Sequence, residues 1–154
     1  MFADIETYIP HRDRMRLVEE LLEADDAHAV TAATVGPDWP IGEDGLLNPL
    51  IFIELIAQTT AAGATWKNMH REGKGEIMTG YLVGVKRASF GAEGVSPGAR
   101  LVTSSRSVLE MQDYAVFQGE VRRGEKVVAT AELQLFHSKL GINELSKQKG
   151  KGDE

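Results

Sequence analysis

The chain has 154 residues, 42% hydrophobic and 26% charged, with a formal net charge of −6. These are the proportions of one soluble globular domain with enough apolar content for a core, and the acidic balance argues against non-specific nucleic-acid binding. There is no cysteine, which excludes a disulfide framework, a thiolate metal site and a cysteine nucleophile.

Met1-Phe2-Ala3-Asp4-Ile5-Glu6 has no basic start leading into an apolar run, so no secretory signal is expected. Residues 1–12 read as a short leader with a helical turn around Asp4 to Tyr8, stopped by Pro10. From Arg14 the pattern is strand-like: Met15-Arg16-Leu17-Val18 and Leu21-Leu22-Glu23-Ala24, then Ala29 to Val35, with Asp25-Asp26 as a turn. Gly36 to Gly45 holds two prolines, glycines and acids and reads as a loop. Asn48 caps a helix whose first position is Pro49, the favoured order of those residues. The helix ends near Met69-His70-Arg71, where basic groups suit the dipole, before Gly73-Lys74-Gly75.

Four strands complete the chain: Met78 to Phe90, Arg100 to Met111, Tyr114 to Arg122 and Lys126 to His137. Ser96-Pro97-Gly98 and Arg123-Gly124-Glu125 are turn signals, the second a hairpin. Residues 1–140 are expected to form a single domain and 141–154 a charged, disordered tail. The central segment from Asn48 to Trp66 is apolar or small around nearly every face except at Glu54 and Gln58. Such a helix is a buried one, and it is short for a bilayer span. A sheet must curl around it, giving an α+β architecture: an antiparallel sheet wrapped on one long central helix.

Glu54 is therefore the first catalytic candidate, because an ionised carboxylate in apolar surroundings costs several kcal/mol unless paired, hydrogen-bonded or protonated. The alternative is a structural carboxylate paired with an arginine. Gln58, one turn on, faces the same side and can orient that carboxyl or bind substrate. Four scattered histidines without cysteines give no metal-site spacing, and no glycine-rich phosphate loop precedes a helix.

Several segments in order carry a resemblance. Tyr8-Ile9-Pro10-His11-Arg12 with Met15-Arg16-Leu17-Val18-Glu19, Phe52-Ile53-Glu54-Leu55-Ile56-Ala57-Gln58, Gly80 to Phe90 with Val95 to Leu101, and Gly124 to Glu132 resemble the bacterial 3-hydroxyacyl-acyl carrier protein dehydratases. The subgroup is that found with polyketide and aryl-polyene clusters. The resemblance implies a hotdog fold, elimination of water from a 3-hydroxyacyl thioester in fatty-acid or polyketide-type synthesis, and no cofactor beyond the phosphopantetheine arm of acyl carrier protein. It implies acyl carrier protein and a second hotdog subunit, identical or different, as partners. Neither nucleic acid nor membrane insertion is expected, and the expected location is cytoplasmic.

One departure stands out. The family's catalytic histidine lies before the acid in a Gly-His-Phe-Pro-Gly type loop, and Gly36 to Gly45 here holds no histidine. Glu54 is expected to protonate the leaving hydroxyl, with its carboxyl kept protonated by burial. His11, in the motif-like Pro10-His11-Arg12, is the candidate base, its alternative being a local hydrogen-bonder. Asn48 and Leu50 at the helix start are assigned to substrate binding, because N–H groups there can polarise a thioester oxygen. Two other functions remain open: a non-catalytic acyl-binding subunit that pairs with an active dehydratase, and a hotdog acyl thioesterase.

Overall fold

A computed structural model describes residues 2–71 and 80–137. The leader is built as expected. Asp4 accepts the Glu6 N–H and opens a 3-10 turn over Ile5–Thr7, which buries Ile5, Tyr8 and Ile9. A second 3-10 turn spans Asp13–Met15. Strands β1 (Glu20–Ala24) and β2 (His28–Thr34) pair antiparallel. At their turn the Asp25 carboxylate accepts the Ala27 N–H, which holds Asp25 below the usual carboxylate range.

Met15-Arg16-Leu17-Val18, expected as a strand, belongs to none. Its backbone is satisfied by the Gln58 side chain, which stands in for a neighbouring strand. Periodicity alone cannot see that substitution, because the partner lies 41 residues away from Leu17.

Helix α1 runs Leu50–Arg71, with Asn48 Oδ1 accepting the Leu50 N–H at 3.0 Å. Its last turn carries His70 and Arg71, and Arg71 pairs with Asp26 at the β1–β2 turn. The expected break at Gly73-Lys74-Gly75, the start of the next strand at Met78, and the tail from residue 141 lie outside the described residues. Strands β3 (Gly80–Phe90), β4 (Arg100–Glu110), β5 (Tyr114–Arg123) and β6 (Lys126–His137) follow. Gly98 and Gly124 take the positive φ angles, 89° and 60°, that the two expected turns need.

All six strands form one antiparallel sheet in the order β1-β2-β4-β5-β6-β3. The helix packs on it as the α+β reading required. Leu55 and Ile56 meet Leu101, Val121 and Leu133 in the core. The helix–sheet seam is partly polar: Thr59 Oγ1 and Thr31 Oγ1 lie 2.7 Å apart, and Thr60 Oγ1 and Ser105 Oγ 2.5 Å apart. Thr59 and Thr60 also donate to the carbonyls of Leu55 and Ile56 one turn back, so the bonding needs of these buried hydroxyls are met.

Gly119 lets α1 approach β5. A Cβ there would overlap the side chain of Ile56, which is fully buried and has no room to swing. Gly119→Ala is expected to destabilise the fold by about 1–3 kcal/mol, the usual cost of overpacking. A denaturant midpoint unchanged from the parent would show that the helix can retreat.

The helix is not buried all round. Its covered face holds Phe52, Leu55, Ile56, Gln58, Thr59, Ala62 and Thr65, while Glu54, Ala57, Ala61 and Ala64 are only half-buried. A single sheet covers one side of a helix, so apolar character all round signals a second cover rather than full burial. The edge strand β3 shows the same deficit, with Leu82, Val83, Val85 and Phe90 exposed. A long apolar edge with free backbone groups is a template for another strand.

Candidate active site

The site is assembled by one amide. Gln58 is fully buried, and its Oε1 accepts the Leu17 N–H at 2.9 Å and the Val18 N–H at 3.4 Å. Its Nε2 donates to Met15 O at 2.7 Å and to Glu54 Oε1 at 2.9 Å. An amide has two acceptor and two donor sites, so every one is used. Gln58 therefore clamps residues 15–18 to the helix and aims the Glu54 carboxyl. In this arrangement all its hydrogen-bonding sites are taken by the protein.

Glu54 sits one turn before Gln58 on the same face. Its Oε1 takes the Gln58 N–H, and Nε2 of His11 lies 3.6 Å from that same oxygen. The alternative reading required an arginine beside it. Among the described residues its partners are Gln58 and His11. The expectation of full burial is also corrected: the Glu54 side chain is 40% exposed and that of His11 27%. The reason is that Glu54 lies on the helix face that the sheet does not cover.

His11 reaches this position from the loop between the two 3-10 turns. Its Nδ1 is buried without a hydrogen-bond partner among the described residues. Nε2 is therefore the atom available for chemistry. His28 and His70 are engaged elsewhere, His28 facing Asp25 at 4.0 Å and His70 stacked on Trp66 at 4.3 Å between ring centroids. No group of metal-ligating side chains occurs among the described residues.

The helix start behaves differently from expectation. The Leu50 N–H is taken by the Asn48 side chain, Ile51 N–H by Asn48 O and Phe52 N–H by Pro49 O. Proline has no N–H to offer. The first turn thus has no spare donor for a thioester oxygen, and Asn48 is a cap. Leu50 itself is 65% exposed, one turn before Glu54 on the same face.

The histidine-free loop from Gly36 lies beside Asp13, Arg14 and Arg16. Gly36, Pro37, Asp38 and Trp39 line a cleft of about 270 Å³ with Asp13, Arg14 and Arg16. Asp38, Glu43 and Asp44 are exposed as expected of a solvated loop, whereas Trp39 packs against the core.

The sequence profile of the ApeP-like family, described as ApeP dehydratase, matches residues 3–147. The chain belongs to the ApeP-like dehydratase family. It is also 25% identical over 136 residues to the 3-hydroxyacyl-[acyl-carrier-protein] dehydratase FabZ of Shewanella woodyi, covering 84% of this chain and 87% of that one. The FabZ of Shewanella oneidensis is similar at 25% over 137 residues, 85% and 88% of the two chains. Among solved structures, the dehydratase heterocomplex ApeI:P from Xenorhabdus doucetiae superposes with a TM-score of 0.84 at 22% identity, over 96% of this chain and 98% of that one. The PaaI protein of E. coli superposes at 0.62 with 12% identity, over 77% and 78%. The two structures share the hotdog fold with this ApeP-like dehydratase. No helix among its described residues is long and apolar enough to cross a membrane.

Sequence reasoning reached Glu54, Gln58 and His11, which the structure brings together. It missed the backbone of Met15, Leu17 and Val18 as the other half of the Gln58 clamp, and it missed Arg12, whose guanidinium binds three nearby carbonyls. No periodicity signals either. The only cue was the adjacency of Arg12 to His11.

Proposed function

We propose that this ApeP-like dehydratase removes water from 3-hydroxyacyl thioesters carried by acyl carrier protein, with Glu54 as acid and His11 as base. The observation that carries the reading is the geometry of Glu54: Gln58 anchors Oε1, His11 Nε2 lies 3.6 Å from that same oxygen, and the side chain is 40% exposed. An N–H bond to Oε1 favours placing the acid proton on Oε2. His11 Nε2 removes a proton from C2 of the acyl chain, and the C3–O bond breaks. Glu54 Oε2 gives its proton to the departing hydroxyl, so water and the 2-enoyl thioester result. His11 has then gained a proton and Glu54 has lost one. Proton exchange with solvent resets the pair, because 3.6 Å between His11 Nε2 and Glu54 Oε1 is too long for direct return.

Leu50, exposed on the Glu54 face, is the apolar contact for the acyl chain. The chemistry calls for no cofactor beyond the carrier protein's phosphopantetheine arm, and a carrier-bound substrate favours a cytoplasmic location. The half-covered face of α1 and the exposed apolar edge of β3 support pairing with a second hotdog subunit, identical or different. The dehydratase heterocomplex with which the chain superposes favours an unlike one.

The test is incubation of the purified chain with 3-hydroxybutyryl-acyl carrier protein, followed by intact-protein mass spectrometry. The expected product has lost the mass of one water. Release of free thiol instead would mean a thioesterase. No conversion by the chain alone, restored by a second hotdog subunit and unaffected by Glu54→Gln in this chain, would mean a non-catalytic partner, the reading favoured by the histidine-free loop at Gly36 to Gly45.

A further inference from the structure

Among the described residues, His11 has no hydrogen bond that fixes its ring. A histidine's orientation and tautomer are usually set by a bond at the nitrogen away from the chemistry, and here Nδ1 is buried with no partner among the described residues. Its contact with Glu54, at 3.6 Å, is too long to hold it. The ring's position must come from the backbone beneath it.

That backbone is pinned by its neighbour. Arg12 Nη1 donates to Ile9 O at 2.6 Å and to His11 O at 2.8 Å, and Nη2 donates to Glu6 O at 3.0 Å. Arg12 Nε also lies 3.6 Å from the Glu6 carboxylate. One planar guanidinium thus closes the chain from Glu6 to Arg12 into a ring, using donors held in a fixed fork. On one side the ring is anchored by Ile5, Tyr8 and Ile9, all buried. On the other, Asp13 adopts φ +54°, a left-handed conformation rare for a side-chain-bearing residue. From there the chain leads to Met15, whose carbonyl Gln58 holds. Both ends of the loop are fastened, and the guanidinium fastens its middle.

We propose that Arg12 is a positioning residue for His11: by binding the carbonyls of Glu6, Ile9 and His11 it fixes the loop that aims the imidazole at Glu54. The proposal rests on the reading of His11 as the base. Arg12 touches no reacting atom and acts only through the histidine. A misplaced base costs turnover rather than affinity.

The experiment is a double-mutant cycle on the full chain, with any second subunit that turnover requires, using 3-hydroxybutyryl-acyl carrier protein as substrate. Arg12→Ala is expected to lower kcat at least about tenfold with KM little changed. Arg12→Lys, which retains donors without the fork, is expected to recover part of the loss. In the His11→Ala background, Arg12→Ala is expected to cost little more, because the group it positions is gone. The imidazole signals of His11, followed by NMR against pH, are expected to move in both Arg12 variants while the melting temperature of Arg12→Lys stays near the parent's. Wild-type kcat in Arg12→Ala with an inactive His11→Ala would overturn this proposal alone. An equal loss with and without His11 would also overturn it, as would unmoved His11 signals in an Arg12→Lys protein that has lost turnover. Full activity in His11→Ala would remove the base reading and this proposal with it.

Discussion

Glu54→Gln is expected to cut dehydration of 3-hydroxybutyryl-acyl carrier protein at least about a hundredfold, the lower end of what a general acid contributes, while the protein folds and melts as the parent does. The substitution keeps the side-chain length and leaves an oxygen to accept the Gln58 N–H that Glu54 Oε1 now takes. What it removes is the carboxyl's capacity to give a proton. The Glu54 side chain is 40% exposed and forms no arginine pair among the described residues, so little structural energy should be lost. Circular dichroism and a thermal melt check the fold, and the same mass-spectrometric conversion checks the chemistry. A variant that turns over at the parent rate would leave Glu54 without a catalytic role and return the site to a structural interpretation.

Gln58→Met is expected to be the more damaging change to stability and nearly as damaging to turnover. Methionine matches the length of glutamine but lacks its donors and acceptor. The Leu17 N–H and Met15 carbonyl would lose the partners that now lie at 2.9 and 2.7 Å. The buried Leu17 N–H left unpaired costs about 1–3 kcal/mol, and the carbonyl of the exposed Met15 adds less. Segment 15–18 would loosen from the helix, and Glu54 would lose the N–H that orients it. Urea unfolding measures the first effect and kcat the second. If stability falls while kcat per folded molecule is unchanged, the clamp holds the fold but does not aim the acid.

The two substitutions separate functions that the sequence presents as one pair. Glu54 and Gln58 differ by four positions and lie on one helix face, yet the first is open to the outside and the second is sealed. A helical repeat states which residues share a face. It does not state how much of that face the rest of the chain covers.

Much of the fold was legible because its signals are local. Asn48-Pro49 marks a helix start that the cap hydrogen bond realises at 3.0 Å, and Gly98 and Gly124 stand where the backbone requires positive φ. Strands β4, β5 and β6 follow runs of β-forming residues between turn signals, and their observed bounds lie within a residue of those expected. The departure at Met15 to Val18 has the same logic in reverse. Its residues favour an extended chain, but Met15 closes a 3-10 turn, and the partner of the segment is a side chain from α1 rather than a strand.

By itself, then, the sequence determined one long helix against an antiparallel sheet, the acid on that helix, and the family, because hydrophobic period, capping chemistry and turn residues act over a few positions. Only the tertiary structure decided that His11 meets Glu54, that Gln58 spends all its bonding capacity on the protein, and that the helix start has no N–H to spare. The first two depend on contacts between residues some 40 positions apart, such as Gln58 with Met15 and Leu17, and the third on how the groups from Asn48 to Phe52 fill one another's hydrogen-bonding sites. A sequence shows which donors and acceptors exist, whereas their allotment is settled only when burial obliges each one to find a partner.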